Sequence, residues 1–129
     1  MIDHTGLNVS DAIKSQNFYT KALAPLGYKV LVEVPKEFTN GAVVLGYGMP
    51  PKADFWIHEA KPNKPHLHVA FRAKNHKQVD EFYKAALAAG GKDNGAPGPR
   101  PHYHKYYYGA FVLDPDGHNI EAVCHDAEE

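Results

Sequence analysis

Apolar positions recur at two spacings along the chain. Val79, Phe82, Tyr83, Ala86 and Leu87 follow the i, i+3, i+4 rule of a helix with one buried stripe, and Phe18, Tyr19, Ala22, Leu23 and Leu26 repeat it. Ser10 or Asp11 can cap the first of these helices and Asn75 the second, while Gly27 and the Gly90-Gly91 pair suit their C-terminal ends. Strand-like stretches precede the helices at 4–9 and 68–72. Others follow them at 28–34, 42–46 and 54–59, and again at 106–113 and 119–124, with a weakly marked strand near Lys92. Asp114-Pro115-Asp116-Gly117 has the proline and glycine placement of a hairpin turn.

The order strand, helix, three strands occurs twice, and the sequence repeats with it. At an offset of 64, His4 falls on His68, Phe18 on Phe82, Tyr19 on Tyr83 and Gly27 on Gly91, while 22–24 fall on 86–88. That makes seven identities in the 24 positions from 4 to 27, where chance supplies about one or two. Ala42-Val43-Val44-Leu45 also matches Ala110-Phe111-Val112-Leu113, at an offset of 68. The chain therefore reads as one α+β domain over 1–129, made of two tandem βαβββ modules in a curved mixed sheet with helices outside. Module 1 is 1–60, a proline-bearing linker is 61–65, and module 2 is 66–125. The tail from Asp126 to Glu129 reads as a solvated end.

Composition narrows the class. At 129 residues the chain can bury a core of its own. A net charge of -1 carries no basic footprint for nucleic acid or a membrane surface. The single cysteine, Cys124, cannot form an intrachain disulfide, and neither a signal peptide nor a membrane-length apolar run is present, so a cytoplasmic protein is expected. Nine histidines and eight tyrosines are the remaining excess.

Of those histidines, His4 and His68 are the duplicated pair, each opening the first strand of a module. Glu121 lies in the last strand of module 2. If its side chain points into the concave face, the buried carboxylate needs a partner or a metal. Two imidazoles and one carboxylate suit a divalent ion of Fe, Mn, Ni or Zn with positions left open. A strand histidine is more often structural, and only the duplication singles out this trio. In the polar-aromatic loop 95–109, His102 and His104 can serve as acid/base groups, Arg100 as a clamp for a carboxylate or phosphate, and Tyr106 with Tyr108 as donors to an oxyanion. The competing reading is a surface loop with a tyrosine-rich edge strand. His118 reads as a local turn residue, and His58, His66, His76 and His125 as surface or structural.

The opening Ile2-Asp3-His4-Thr5-Gly6-Leu7-Asn8-Val9-Ser10-Asp11, with Phe18-Tyr19 and Leu26-Gly27-Tyr28, resembles the start of the vicinal oxygen chelate superfamily of glyoxalase I, bleomycin- and fosfomycin-resistance proteins and extradiol dioxygenases. His66-Leu67-His68-Val69-Ala70-Phe71 and the more specific Asp114-Pro115-Asp116-Gly117-His118-Asn119-Ile120-Glu121 extend the resemblance over nearly the whole chain. It implies paired βαβββ modules whose metal ligands sit on first and last strands, here His4, His68 and Glu121. The fourth position departs from the glyoxalase I pattern. At offset 64 Glu121 falls on Ile57, and only a register shift would bring in His58 or Glu59. The set is closer to fosfomycin-modifying enzymes and to extradiol dioxygenases, although the latter usually carry four modules. The expectation is a divalent-metal-dependent enzyme of lyase, isomerase, transferase or dioxygenase type, chelating vicinal oxygens of a small molecule. The alternative is a metal-free, drug-sequestering binder walled by the tyrosine-rich loop and Trp56. The resemblance also implies a homodimer whose sites draw ligands from both subunits. Substrate and any thiol cosubstrate stay open.

Overall fold

In the computed structural model, residues 1–127 are described; Glu128 and Glu129, the end of the expected solvated tail, lie outside them. Strand β1 (Thr5–Val9) leads into helix α1 (Ala12–Leu23), then β2 (Lys29–Glu33), β3 (Val44–Gly48) and β4 (Phe55–Glu59). The second module repeats this as β5 (His68–Arg72), α2 (His76–Ala88), β6 (Lys92–Pro99), β7 (Tyr108–Leu113) and β8 (Asn119–Cys124). The α+β fold of tandem βαβββ modules is the expected one. Its strands form two four-stranded sheets, β1-β4-β3-β2 and β5-β8-β7-β6. In each, the first strand runs parallel to the last and the other pairs are antiparallel.

The helices start where their caps place them. The Asp11 carboxylate accepts from the Lys14 N–H at 3.1 Å and Asn75 from Gln78 N–H at 2.9 Å, each satisfying a first-turn donor that has no intrahelical partner. The apolar stripes of α1 and α2 then enter one core with the inner faces of both sheets, and the helices pack on each other. Both modules are thus parts of one folding unit, and each sheet keeps its other face open.

Strand β6 corrects the reading of 95–109 as a loop running into a strand, in its first five residues. It takes in Gly95-Ala96-Pro97-Gly98-Pro99 and pairs only with β7, with register shifts on either side of Gly95. At an irregular sheet edge a proline's missing donor costs nothing, which is how so proline-rich a segment can be a strand.

Polar ties join the modules. Tyr19 donates to Asp114 Oδ2 at 2.5 Å, Ser10 N–H donates to Asp116 Oδ2 at 3.0 Å, and the Ser10 hydroxyl bonds the other oxygen of Asp116. His118 bonds locally in the turn as expected, its N–H donating to Asp114 Oδ1 at 2.8 Å, but its side chain is fully buried and makes long-range bonds. Its Nδ1 accepts from Leu67 N–H at 3.0 Å, so its Nε2 carries the proton and donates to Asn8 O at 3.1 Å. Gly91, duplicated from Gly27, sits at the junction. A Cβ there would lie 2.4 Å from Val112 Cγ1 and 2.7 Å from Phe18 Cε1. Gly91→Ala is therefore expected to cost about 3 kcal/mol from overpacking, read as a lowered denaturation midpoint with an unchanged slope.

Candidate functional site

The strand pairing decides which residue of module 1 stands where Glu121 stands in module 2. Ala70 pairs with Glu121 and Gly6 with Trp56. The first strands correspond at an offset of 64, but the last strands at 65, so Trp56 occupies the equivalent position. Ile57 points into the core with no exposure. His58 is exposed, and the Glu59 carboxylate accepts from Val43 N–H at 3.1 Å. None of Ile57, His58 and Glu59 stands at the fourth position. The third strands share the offset, since Phe111 pairs with Glu121 and Gly46 with Trp56. The match of 42–45 to 110–113 at 68 is hydrophobic coincidence. The indole lies across Gly46, where a Cβ would come within 2.8 Å of its ring.

On β8, Ile120, Ala122 and Cys124 are fully buried, leaving Glu121 on the open face. Its carboxylate is nevertheless only 2% exposed, because neighbouring side chains close over it. The Tyr107 hydroxyl donates to Oε2, and His68 Nε2 lies 3.1 Å from Oε1. The other His68 nitrogen, Nδ1, is 3.2 Å from the Asn119 carbonyl oxygen. A carbonyl only accepts, so Nδ1 carries a proton. In a neutral ring that leaves the Nε2 lone pair aimed at a carboxylate. The pair is satisfied by a second proton on the ring or by a cation shared between the two groups. His68, Glu121, Tyr107, Tyr103, Phe111 and Asn119 border a cavity of about 270 Å³. Burial, and then the bond to Glu121, push the Tyr107 hydroxyl well above its ordinary titration range.

His4 borders a second cavity, of about 390 Å³, which His68 also lines. Its Nδ1 bonds Asp3 Oδ1 at 2.8 Å, and Lys52 Nζ holds the other oxygen of Asp3. The ammonium of Lys52, then the imidazole, keep the Asp3 carboxyl below the usual range. A carboxylate on Nδ1 leaves Nε2 as the donor atom of His4, the orientation seen in metal-ligating histidines. In the same cavity Tyr28 donates to Asp54 Oδ2 at 3.1 Å, and burial raises its pKa to about 12. Among the described residues, no three His, Cys, Asp or Glu side chains converge as a metal-holding group. One chain brings His68 and Glu121 together, while His4 shares a cavity with His68 but does not complete a three-ligand group with the pair.

The loop candidates scatter. Tyr106 turns away, 44% exposed, with Lys105 Nζ 5.1 Å over its ring. His102 is exposed beside Tyr103, their rings 4.2 Å apart. His104 Nε2 meets His125 Nδ1 at 2.6 Å, and both rings flank Tyr107. Arg100 lies over Phe111, 5.6 Å from the ring centre. Tyr108 bonds Asp80 at 2.7 Å and stacks on His76. Neither Tyr106 nor Tyr108 reaches Glu121; the tyrosine that does is Tyr107, which no periodicity distinguished within Tyr106-Tyr107-Tyr108. Tyr107→Phe strips the partner from a buried carboxylate oxygen and is expected to lower stability by about 1–3 kcal/mol. Tyr106→Phe should change it by under about 0.5 kcal/mol. Chemical denaturation of both variants checks the difference.

The model of the Glyoxalase/Bleomycin resistance protein/Dioxygenase superfamily matches residues 1–122. Among solved structures, a glyoxalase/bleomycin resistance protein from Albidiferax ferrireducens T118 is 26% identical, with a TM-score of 0.72 over 96% of this chain and 98% of that one. A glyoxylase/bleomycin resistance protein/dioxygenase domain from Frankia sp. EAN1pec is 18% identical, with a TM-score of 0.73 over 98% of both chains. A glyoxalase I mutant from Zea mays is 20% identical, with a TM-score of 0.69 over 98% of this chain and 45% of that one. No curated protein matches the sequence.

Proposed function

Because the chain belongs to the Glyoxalase/Bleomycin resistance protein/Dioxygenase superfamily, we propose that it is a divalent-metal-dependent enzyme acting on a small molecule with vicinal oxygens. The reading rests chiefly on His68 and Glu121: a carboxylate 2% exposed, 3.1 Å from an imidazole nitrogen whose ring is already bonded through its other nitrogen. With the ring neutral, a buried anion facing a lone pair is a poor structural device and a good half-site for a cation. His4 is the third ligand, held by Asp3 through Nδ1 so that Nε2 is its donor atom, and it comes from a second copy of the chain, so the working unit is a homodimer.

In such a site the ion, of Fe, Mn, Ni or Zn, would supply Lewis-acid stabilisation of charge developing on substrate oxygen. The chain's own residues set the geometry. Asn119 O and Asp3 fix the two rings, and Tyr107 holds one Glu121 oxygen so that the other faces His68. With Trp56 at the fourth position, module 1 provides no second carboxylate for the proton transfers of a glyoxalase I reaction. The chemistry left is that of a three-ligand site, such as group addition or ring cleavage.

The test combines two defective chains. His4→Ala and Glu121→Gln homodimers should each be purified without bound metal. Mixed after reversible unfolding, they form heterodimers in which one of the two shared sites is intact, recovering about a quarter of the wild-type metal for random pairing. Metal in the His4→Ala protein alone would eliminate the ligand from the partner.

A second reading, a metal-free binder of small molecules, draws on one observation: the described residues of a single chain gather no three-ligand group. Wild-type protein that stays empty after reconstitution with all four metals would favour it.

A further inference from the structure

Across the open face of the second sheet, three side chains lie in a row that follows the strand order. His68 on β5 stacks toward Phe111 on β7, with ring centres 6.3 Å apart, and the Arg100 guanidinium lies 5.6 Å over the same Phe111 ring. Arg100 is half-buried just beyond the edge strand β6. Its seat is built from backbone: Nη1 donates to Gly98 O and Nη2 to Ala96 O, both at 2.8 Å. Gly95 and Gly98 leave the room, since a Cβ at either would come within 3.4 Å of the guanidinium. The Arg100 N–H also donates to Tyr107 O at 2.7 Å, which ties the seat to the residue that caps Glu121.

Among the described residues this charge has no counterion: no carboxylate stands within ion-pair distance of Arg100, and its neighbours are neutral carbonyls and an aromatic face. Nη1 also donates to Pro99 O at 3.4 Å, so the carbonyl bonds leave the Nε–H and one Nη2 hydrogen of the planar fork for a further acceptor. A half-buried cation, rigidly seated and unpaired, is matched by a ligand that brings the negative charge.

We propose that Arg100 is the anion anchor of this site and that its ligand is a small organic acid, binding a carboxylate or phosphonate group at Arg100 over Phe111 while its other end reaches toward His68 and Glu121. The inference rests on this open face being the binding face, as argued above, but the anchor itself requires no metal.

Phenylphosphonate is the probe, titrated calorimetrically into wild-type protein dialysed free of metal. Saturable binding is expected, competed by inorganic phosphate. Arg100→Gln should weaken it at least about tenfold, the loss of one charge-assisted hydrogen bond. Arg100→Lys, which keeps the charge but not the fork, should fall between, and so separates a lost anchor from a collapsed loop. No saturable binding to wild type, or equal binding by Arg100→Gln, overturns the anchor whatever the protein's metal content. Wild-type protein that binds the probe but takes up none of the four metals on reconstitution overturns the metal reading alone.

Discussion

Glu121→Gln is expected to lower metal affinity by more than about 100-fold, beyond what loss of an outer-sphere partner causes, while leaving the metal-free protein at least as stable as wild type. The two halves follow from one geometry. The carboxylate is only 2% exposed, bonded by Tyr107 and facing His68. Burying a charge is costly, and a neutral isostere removes that cost while its amide oxygen still accepts from Tyr107. If Glu121 served the fold, the substitution would destabilise; if it serves a cation, the apo protein loses nothing. Metal quantification and thermal melts in chelator read both halves. Retained metal, or an apo melting temperature several degrees below wild type, would sink the assignment.

Asp114→Ala is expected to destabilise the fold by about 3–5 kcal/mol, the range for breaking a buried charged network. Its carboxylate is 4% exposed and accepts from the Tyr19 hydroxyl at 2.5 Å, His118 N–H at 2.8 Å and Asp116 N–H at 2.9 Å. Truncation orphans three donors, one on a tyrosine with no exposure, at the junction of the modules. A fall in melting temperature on the order of 10–20 °C should follow. A shift corresponding to under about 1 kcal/mol would mean that the junction tolerates water. Burial outweighs these hydrogen bonds and raises the Asp114 pKa. The folded state therefore holds the proton more tightly than the unfolded chain, and this group's contribution to stability declines as pH rises through the raised value. Asp114→Asn does not titrate, so its stability relative to wild type should improve between about pH 4 and pH 7; melts at both ends of that window check the sign.

Much of the architecture was legible in local pattern. The i, i+3, i+4 stripes, a cap at Ser10 or Asp11 and another at Asn75, and the offset of 64 were enough for the helices and the tandem modules, because caps and periodicity act within a turn or two of chain. The last strand of module 2 was equally plain, its Ile120, Ala122 and Cys124 alternating with Glu121.

What escaped has a common cause. Trp56 rather than Ile57 stands opposite Glu121's position because the last strands are displaced by one residue from the offset of the first, and a slip of one turns a strand side chain to the other face. Tyr107 and not Tyr106 reaches Glu121 because β7 begins at Tyr108, leaving Tyr106 in the turn before it. His118 is a buried clasp because Asn8 and Leu67, far away in the chain, converge on its two nitrogens. Short-range order, made by bonds between neighbours along the chain, could be read from the residues in order. Register across strands, and the partners of buried polar atoms, depend on segments tens of residues apart, and only the folded chain brings those together.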